Sequence, residues 1–315
     1  MDTTTAAAER GITRATRRKL PGWNEYTPTI ILFLLPTLVF MVLFVVWPII
    51  NSFELSLYQW NGISPTRDYI GLNNWTRLIS DRVFWKAFGN NLIVVVLSIA
   101  VQMPLALLLA IMLERTTNLV VARFLKTVYF FPMLMSSVAI GILFKYIYDP
   151  SFGPLSQALK ALGLASLNRQ WLGDPGIVLY SIIAVICWQY IPFYMILFLA
   201  ALTGIPEDLR DAARIDGANE GQYYRYIAVP IISGTLRTAV VLSLIGSLKY
   251  FDLIWVMSEG GPNNASELMA TYMYKKAFPS FEMGYGSTVA SALFLIVMGV
   301  GLITMKLTRR FETKV

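Results

Sequence analysis

The chain has 315 residues, of which 56% are hydrophobic and 14% charged; soluble domains are about half apolar and about a quarter charged, so this chain belongs in a membrane. It carries 26 Lys and Arg against 19 Asp and Glu, a net charge of +7, no His, and one cysteine, Cys187, inside an apolar run. An intrachain disulfide and a thiolate metal cluster are excluded, as are the commonest proton shuttles and nucleophile pairs. The basic balance comes without a basic stripe or recognition motif, so it points to cytoplasmic loops and not to nucleic acid.

In chain order, residues 1–28 form a polar, basic tail with Arg10, Arg14, Arg17, Arg18 and Lys19. It reads as disordered or amphipathic, held near anionic lipid. The first apolar run, about 29–50, is long enough to cross a hydrocarbon core of about 30 Å, and no small-residue cleavage site follows it, so it is expected to be an uncleaved span. Residues 51–86 are polar and aromatic, with Trp60, Trp75, Trp85 and the turn pairs Asn61-Gly62 and Ser64-Pro65, and predict a folded extramembrane loop. Further spans are expected at about 87–113, 124–147 (kinked near Pro132), 176–202, 229–257 and 286–306, with a Pro- and Gly-punctuated link from Tyr146 to Gly176. The prediction is an all-α, polytopic bundle of six transmembrane helices: a transmembrane domain over 29–308, with a cytoplasmic loop at 203–230 and a short tail at 309–315.

That loop, Glu207 to Pro230, is a polar island between two apolar runs. Pro206 suits the first position of a helix, and Glu207 and Asp208 put negative charge at its positive end. Asp216-Gly217 breaks the helix, and Asn219 with Gln222 has the form of a capping box that opens a second one. The expected shape is two short helices with an elbow at Gly217. Ala212 and Ala213 are small enough to let that surface sit deep in a partner's groove, with Asp211 and Arg214 setting register; alternatively they are only good helix formers on a loop.

Orientation follows from Lys and Arg. Sixteen of the 26 lie in the N-terminal tail, 114–126, 203–237 and the segment from 306 onward, and ten in the opposite loops, which puts both termini and the island in the cytoplasm. No stretch matches G-x-x-x-x-G-K-[ST], so the chain does not cradle ATP phosphates, and any ATP energy must come from a partner.

Two charges, Lys249 and Asp252, fall inside an apolar run, where charge is costly. They read either as an i, i+3 ion pair near the outer end of the fifth helix or, with Tyr250 and Trp255 beside Asp252, as part of a polar path. A second group, Trp188, Gln189, Tyr190 and Tyr194 around Pro192, sits in the fourth span. It reads as lipid-belt and packing residues or as a sugar-facing set, since a sugar's C–H faces stack on rings while its hydroxyls need polar partners.

Asp211-Ala212-Ala213, Gly217, Ile227 and Pro230 resemble the "EAA" loop of the membrane subunits of binding-protein-dependent ATP-binding-cassette importers, with Asp211 where the family usually has Glu and Val229 where it usually has Leu. The stretch from Gly71 to Trp75 is similar to the "GLxN" element after the first span of sugar-importer permeases. Phe251-Asp252, Gly260-Gly261-Pro262, Tyr272 to Phe278 and Gly284-Tyr285-Gly286 resemble their outer loop. The resemblance is to the maltose and glycerol-3-phosphate type. It implies a permease subunit of an ATP-driven sugar or oligosaccharide importer, itself not an enzyme and binding no metal or cofactor. It further implies a second, different permease, two copies of a cytoplasmic ATPase that uses ATP and Mg, an extracytoplasmic solute-binding protein, and a place in a bacterial or archaeal cell (inner) membrane. Asp211, Ala212, Ala213, Arg214, Asp216, Gly217, Ile227 and Pro230 would couple to the ATPase. Trp188, Gln189, Tyr190, Tyr194, Tyr250, Asp252 and Trp255 are expected along the substrate path. An importer for another solute class, an ion-coupled secondary transporter and a carboxylate-based membrane enzyme stay open on the residues alone.

Overall fold

The structure is a computed structural model that describes residues 27–116 and 118–309. The basic tail up to residue 26 and the tail from 310 lie outside the described residues. The chain divides into two units, 1–50 and 51–315.

In the first unit, α1 (Thr27–Met41) runs through a π turn (Val42–Val46) into α2 (Trp47–Leu55). Its side chains from Ile30 to Trp47 are apolar but for Thr37 and exposed all round, the signature of a helix whose solvent is lipid. The π turn has a local cause. The Trp47 N–H reaches back to the Val42 carbonyl, and the next residue, Pro48, has no N–H to give; widening the turn before a proline relieves the clash of its ring with the preceding turn.

The second unit opens with a small antiparallel ladder, β1 (Tyr58–Gln59) with β2 (Asp68–Tyr69), followed by α3 (Asn73–Ser80). Gly62, with φ 88°, turns the connection. Asp81 caps α4 (Arg82–Glu114) by accepting from the Val83 and Phe84 N–H groups, and Asn118 caps α5 (Leu119–Leu134) in the same way. Next come α6 (Ser137–Ile147), α7 (Pro154–Ala161), a short 3-10 turn and α8 (Val178–Thr203). Beyond them lie α9 (Glu207–Ile215), α10 (Glu220–Tyr223), a π turn (Tyr224–Ala228), α11 (Val229–Ile231) and α12 (Ser233–Leu248). The chain ends with α13 (Asp252–Ser258), α14 (Met269–Ala277) and α15 (Met283–Arg309). The second π turn repeats the first: the Val229 N–H bonds to the Tyr224 carbonyl, and Pro230 follows.

Among the described residues, four helical stretches are long and apolar enough to cross a membrane: Ile30–Leu55, Arg82–Glu114, Val178–Thr203 and Met283–Lys306. The expected third and fifth spans are each bent pairs, by 96° between Arg123–Leu134 and Ser137–Ile147 and by 69° between Glu220–Ile231 and Ser233–Leu248. The third span therefore does not merely kink at Pro132; it stops, and Ser136 caps a new helix by accepting from the Val138 N–H. The fifth is also interrupted at Lys249–Phe251, where α12 ends before α13 begins. Lys249 and Asp252 thus do not share a helix, and no ion pair joins them among the described residues. The i, i+3 pair read from the sequence is corrected on that ground.

The centre of this unit is α4 packed along α8, with α12 against both. The buried face of α4 includes Ala87, Asn90, Asn91, Ser98, Gln102, Ala106 and Ala110 beside the larger Phe84, Val94, Val95, Met103 and Leu113, a stripe at helical spacing rich in small and amide side chains. Such a stripe lets backbones approach closely, which is how helices associate where lipid and protein are equally apolar. Met195 and Phe198 of α8 are fully buried in the same cluster. Asn91 donates to the Ser247 and Leu248 carbonyls at 3.2 and 3.0 Å and accepts from the Met269 N–H at 2.9 Å.

Candidate functional site

The polar island folds much as its capping signals require. Helix α9 starts at Glu207 with Pro206 one position earlier, as the N-cap. Gly217 adopts φ 81°; its N–H bonds to the Arg214 carbonyl at 3.1 Å and the Ala218 N–H to the Ala213 carbonyl at 2.9 Å, the pair of bonds of a Schellman stop that favours glycine. Asn219 and Gln222 form the reciprocal capping box, at 2.8 and 2.9 Å. The second helix is longer than expected, continuing through the π turn to Ile231.

The faces of α9 correct one reading. Ala213 is 5% exposed and packs into the bundle's own core with Tyr223 and Leu202, so it is not part of an outward docking surface. Its spacing from Arg210 puts both on the inner face. The outward face carries Leu209, Asp211, Ala212 and Ile215, the last 86% exposed. Asp216 and Pro230 are exposed and Ile227 is half-buried against the core. Arg214 meets Asp211 at 3.7 Å and Glu220 at 3.1 Å, all on the surface, where such pairs are worth at most about 1 kcal/mol.

Sequence reasoning missed the residue that ties α9 down. Arg210 Nη2 donates to Glu114 Oε2 at 2.9 Å and to the Tyr224 hydroxyl at 2.6 Å; the Tyr224 hydroxyl donates to the same Glu114 oxygen. The guanidinium lies 4.8 Å from the Tyr223 ring centroid. The hydrogen bond to Glu114 raises the Arg210 pKa, outweighing burial. The Arg210 Nε is buried without a hydrogen-bond partner among the described residues.

A cavity of about 470 Å³ lies where α12 breaks, within the size range of small-ligand sites. Gln102 of α4, Tyr190 and Tyr194 of α8, Ser243 of α12, and Lys249, Tyr250 and Asp252 at the break all line it. Ser243 donates to Gln102 Oε1 at 3.3 Å, and the Tyr190 and Tyr250 rings meet edge to face at 6.0 Å. The expected path residues therefore divide. Tyr190, Tyr194, Tyr250 and Asp252 come together. Gln189 sits behind them, buried, donating to Ser137 Oγ at 3.3 Å and meeting the Tyr250 hydroxyl at 3.5 Å. Trp188 turns outward, 40% exposed, against Phe144. Trp255 packs with Phe251 and Tyr274. Neither tryptophan lines the cavity; for Trp188, a helix apolar on every face gives no clue to which ring points inward. Gln102 and Ser243 were overlooked because a single amide or hydroxyl in an apolar run carries little periodic signal.

At the end of the bundle holding β1, β2 and the Gly260-Gly261-Pro262 turn, two carboxylates organise the loops. Asp81 Oδ2 accepts from the Tyr285 hydroxyl at 2.5 Å and from the Tyr272 hydroxyl, joining α14 and α15 to the start of α4. Burial alone would raise the Asp81 pKa, but the two tyrosine hydroxyls and the Phe84 and Val83 N–H groups outweigh it and hold it below the ordinary value. Glu267 is fully buried, paired with Lys275 Nζ at 2.6 Å, while Asn90 donates to the Ala265 and Glu267 carbonyls at 3.0 and 2.9 Å.

Comparison with known proteins accords with this arrangement. Residues 102–315 match the family described as "Binding-protein-dependent transport system inner membrane component". A probable ABC transporter permease protein of Bacillus subtilis (strain 168) is 40% identical over 275 residues, 87% of this chain and 94% of that protein. The lactose transport system permease protein of Rhizobium radiobacter is 32% identical over 271 residues, 84% of this chain and 89% of that protein. A solved bacterial ABC transporter involved in the import of the acidic polysaccharide alginate shares the fold, with a TM-score of 0.80 over 90% of this chain and 96% of that one at 23% identity. The chain is a multi-pass transport component and not an enzyme: it belongs to the family of binding-protein-dependent transport system inner membrane components.

Proposed function

We propose that this chain is the permease subunit of an ATP-driven importer for a sugar or oligosaccharide, working through the cavity at the α12 break. The observation that carries the substrate class is that cavity's lining: three tyrosines, an amide, serines, a carboxylate and an ammonium group converge where a span is interrupted. Rings to stack on C–H faces and polar groups to meet hydroxyls are what a sugar requires, and interrupted helices are where transporter sites lie. Relatives named for lactose and for multiple sugars support the same class. Each bent pair counts as one span, giving six, with both termini cytoplasmic in a bacterial or archaeal inner membrane. The domain limits are those read from the sequence: a permease domain over 29–308 between two cytoplasmic tails.

The working assembly pairs this chain with a second, different permease, two copies of an ATPase that uses ATP and Mg, and an external solute-binding protein. Helix α9 docks in the ATPase through its outward face, Leu209, Asp211, Ala212 and Ile215; Gly217, Asp216, Arg214, Ile227 and Pro230 shape the loop that presents it. Closure of the ATPase pair moves α9 and opens the cavity to the binding protein, which requires only that the ATPase bind the two states with different affinity. The test is uptake of labelled mono- and oligosaccharides by proteoliposomes holding the complete complex with its binding protein and internal ATP. Replacing Tyr190 and Tyr250 by Ala is expected to raise the KM for sugar and leave basal ATP hydrolysis in place. Uptake unchanged by both substitutions refutes the cavity's role, and uptake without ATP refutes the importer.

A further inference from the structure

We propose that Arg210 is the positioning residue through which α9 moves the cavity wall, by joining α9 to the inner end of α4 at Glu114. The inference rests on the reading that α9 docks an ATPase, and goes beyond it by naming the joint that carries the motion. Three separate pieces of chain meet there. Arg210 comes from α9, Glu114 closes α4, and Tyr224 opens the π turn beyond the Gly217 elbow. One guanidinium nitrogen serves both partners, and the tyrosine hydroxyl closes the triangle onto the same carboxylate oxygen. The Arg210 and Glu114 side chains are only 23% and 15% exposed, so the bonds are charge-assisted and shielded from water. Arg210 also lies 3.9 Å from Glu220, while the ion pairs made by Arg214 involve a side chain 60% exposed. Beside the short covalent link from α8 and Ala213 in the core, this triangle ties the docking helix to α4.

What it is tied to gives the joint its meaning. Gln102 lies twelve residues before Glu114 on α4, about 18 Å along the axis at 1.5 Å per residue, and it lines the cavity while bonded to Ser243. A displacement of α9 therefore pulls on the helix whose middle forms one wall of the cavity. A lysine in place of Arg210 keeps the charge and a nitrogen able to donate twice, but it loses the flat guanidinium 4.8 Å from the Tyr223 ring centroid, so it does not hold Glu114 and Tyr224 in the same geometry.

The test uses the complete complex in proteoliposomes and reads three quantities: ATPase co-purified with the permease, ATP hydrolysed, and sugar moved per ATP. For Arg210→Ala and Arg210→Lys the ATPase is expected to remain bound and to hydrolyse ATP, while sugar moved per ATP falls at least about tenfold, the change that loss of one charge-assisted hydrogen bond makes to an equilibrium, with the larger fall in Arg210→Ala, which loses two. The reversed pair Arg210→Glu with Glu114→Arg is expected to recover part of what either reversal alone destroys. A normal transport-to-hydrolysis ratio in Arg210→Lys, or a reversed pair no better than its single members, overturns the proposal. If Arg210→Ala does not assemble, the ratio in Arg210→Lys decides. The underlying docking reading has its own control, Ile215→Asp on the outward face. That variant is expected to lose the ATPase altogether; if it keeps the ATPase and transports normally, the docking reading fails whatever Arg210 does.

Discussion

Gly260 combines a left-handed backbone with a buried carboxylate against its α-carbon, so a single added methyl is costly there. It has φ 76°, and a methyl group there would lie 2.4 Å from Glu267 Oε2, 2.6 Å from its Cδ and 2.7 Å from its Oε1. The Glu267 side chain has no exposed surface and is held by Lys275 Nζ at 2.6 Å, so it cannot swing away. In Gly260→Ala the left-handed backbone costs about 1–2 kcal/mol and the overpacking about 1–3 kcal/mol, so about 2–5 kcal/mol in all. Gly217→Ala is the natural comparison: φ is 81° but nothing lies within 4 Å of the added methyl, which leaves only the backbone cost of about 1–2 kcal/mol. The assay is the inactivation half-life of the purified complex in detergent at one fixed temperature, since large membrane proteins commonly unfold irreversibly. Gly260→Ala should inactivate faster than Gly217→Ala. Adding Glu267→Ala to Gly260→Ala should recover part of the loss, because it removes the obstructing carboxylate, a non-additivity expected only of touching groups. Equal half-lives for the two glycine variants, or strict additivity in the double variant, would refute the steric argument.

Two further outcomes follow from the described contacts. Because the Asp81 pKa is lowered in the folded state, the stability it contributes is present above the ordinary value of 3.8 and is lost as pH falls through the depressed folded value; Asp81→Asn should flatten that acid limb and cost about 1.5–3 kcal/mol at neutral pH, read by tryptophan fluorescence against pH. Ala213→Glu should bury a carboxylate in the core and lower the yield of folded protein on size exclusion, whereas Ala212→Glu on the outward face should leave the fold within about 0.5 kcal/mol and act only on ATPase association.

Much of this was legible in the residues because the signals are local. The spans appear as uncharged runs, and Gly217, Asn219 and Gln222 announce the elbow through caps completed within four residues. What stayed hidden depends on partners far away in the chain. Arg210 and Glu114 are 96 residues apart, and nothing near either one names the other. Ala213 looked like docking surface because alanine suits a partner's groove and a neighbour's side chains equally well. The interruption at Lys249–Phe251 was masked by the even apolarity around it, so its two charges read as a pair on one helix. Trp188 and Trp255 were grouped with Tyr190 and Tyr250 by nearness in sequence, while the turn of each helix sent them elsewhere.

The amide of Asn91 has a consequence for that interruption. Were α12 to run on into α13, the Phe251 and Asp252 N–H groups would bond to the carbonyls of Ser247 and Leu248, the two that Asn91 already takes. A single side chain thus satisfies the carbonyls that the break deprives of their helical partners, so the interruption leaves neither of them unpaired. The notch that the tyrosines line is therefore built with its freed backbone carbonyls already answered from α4.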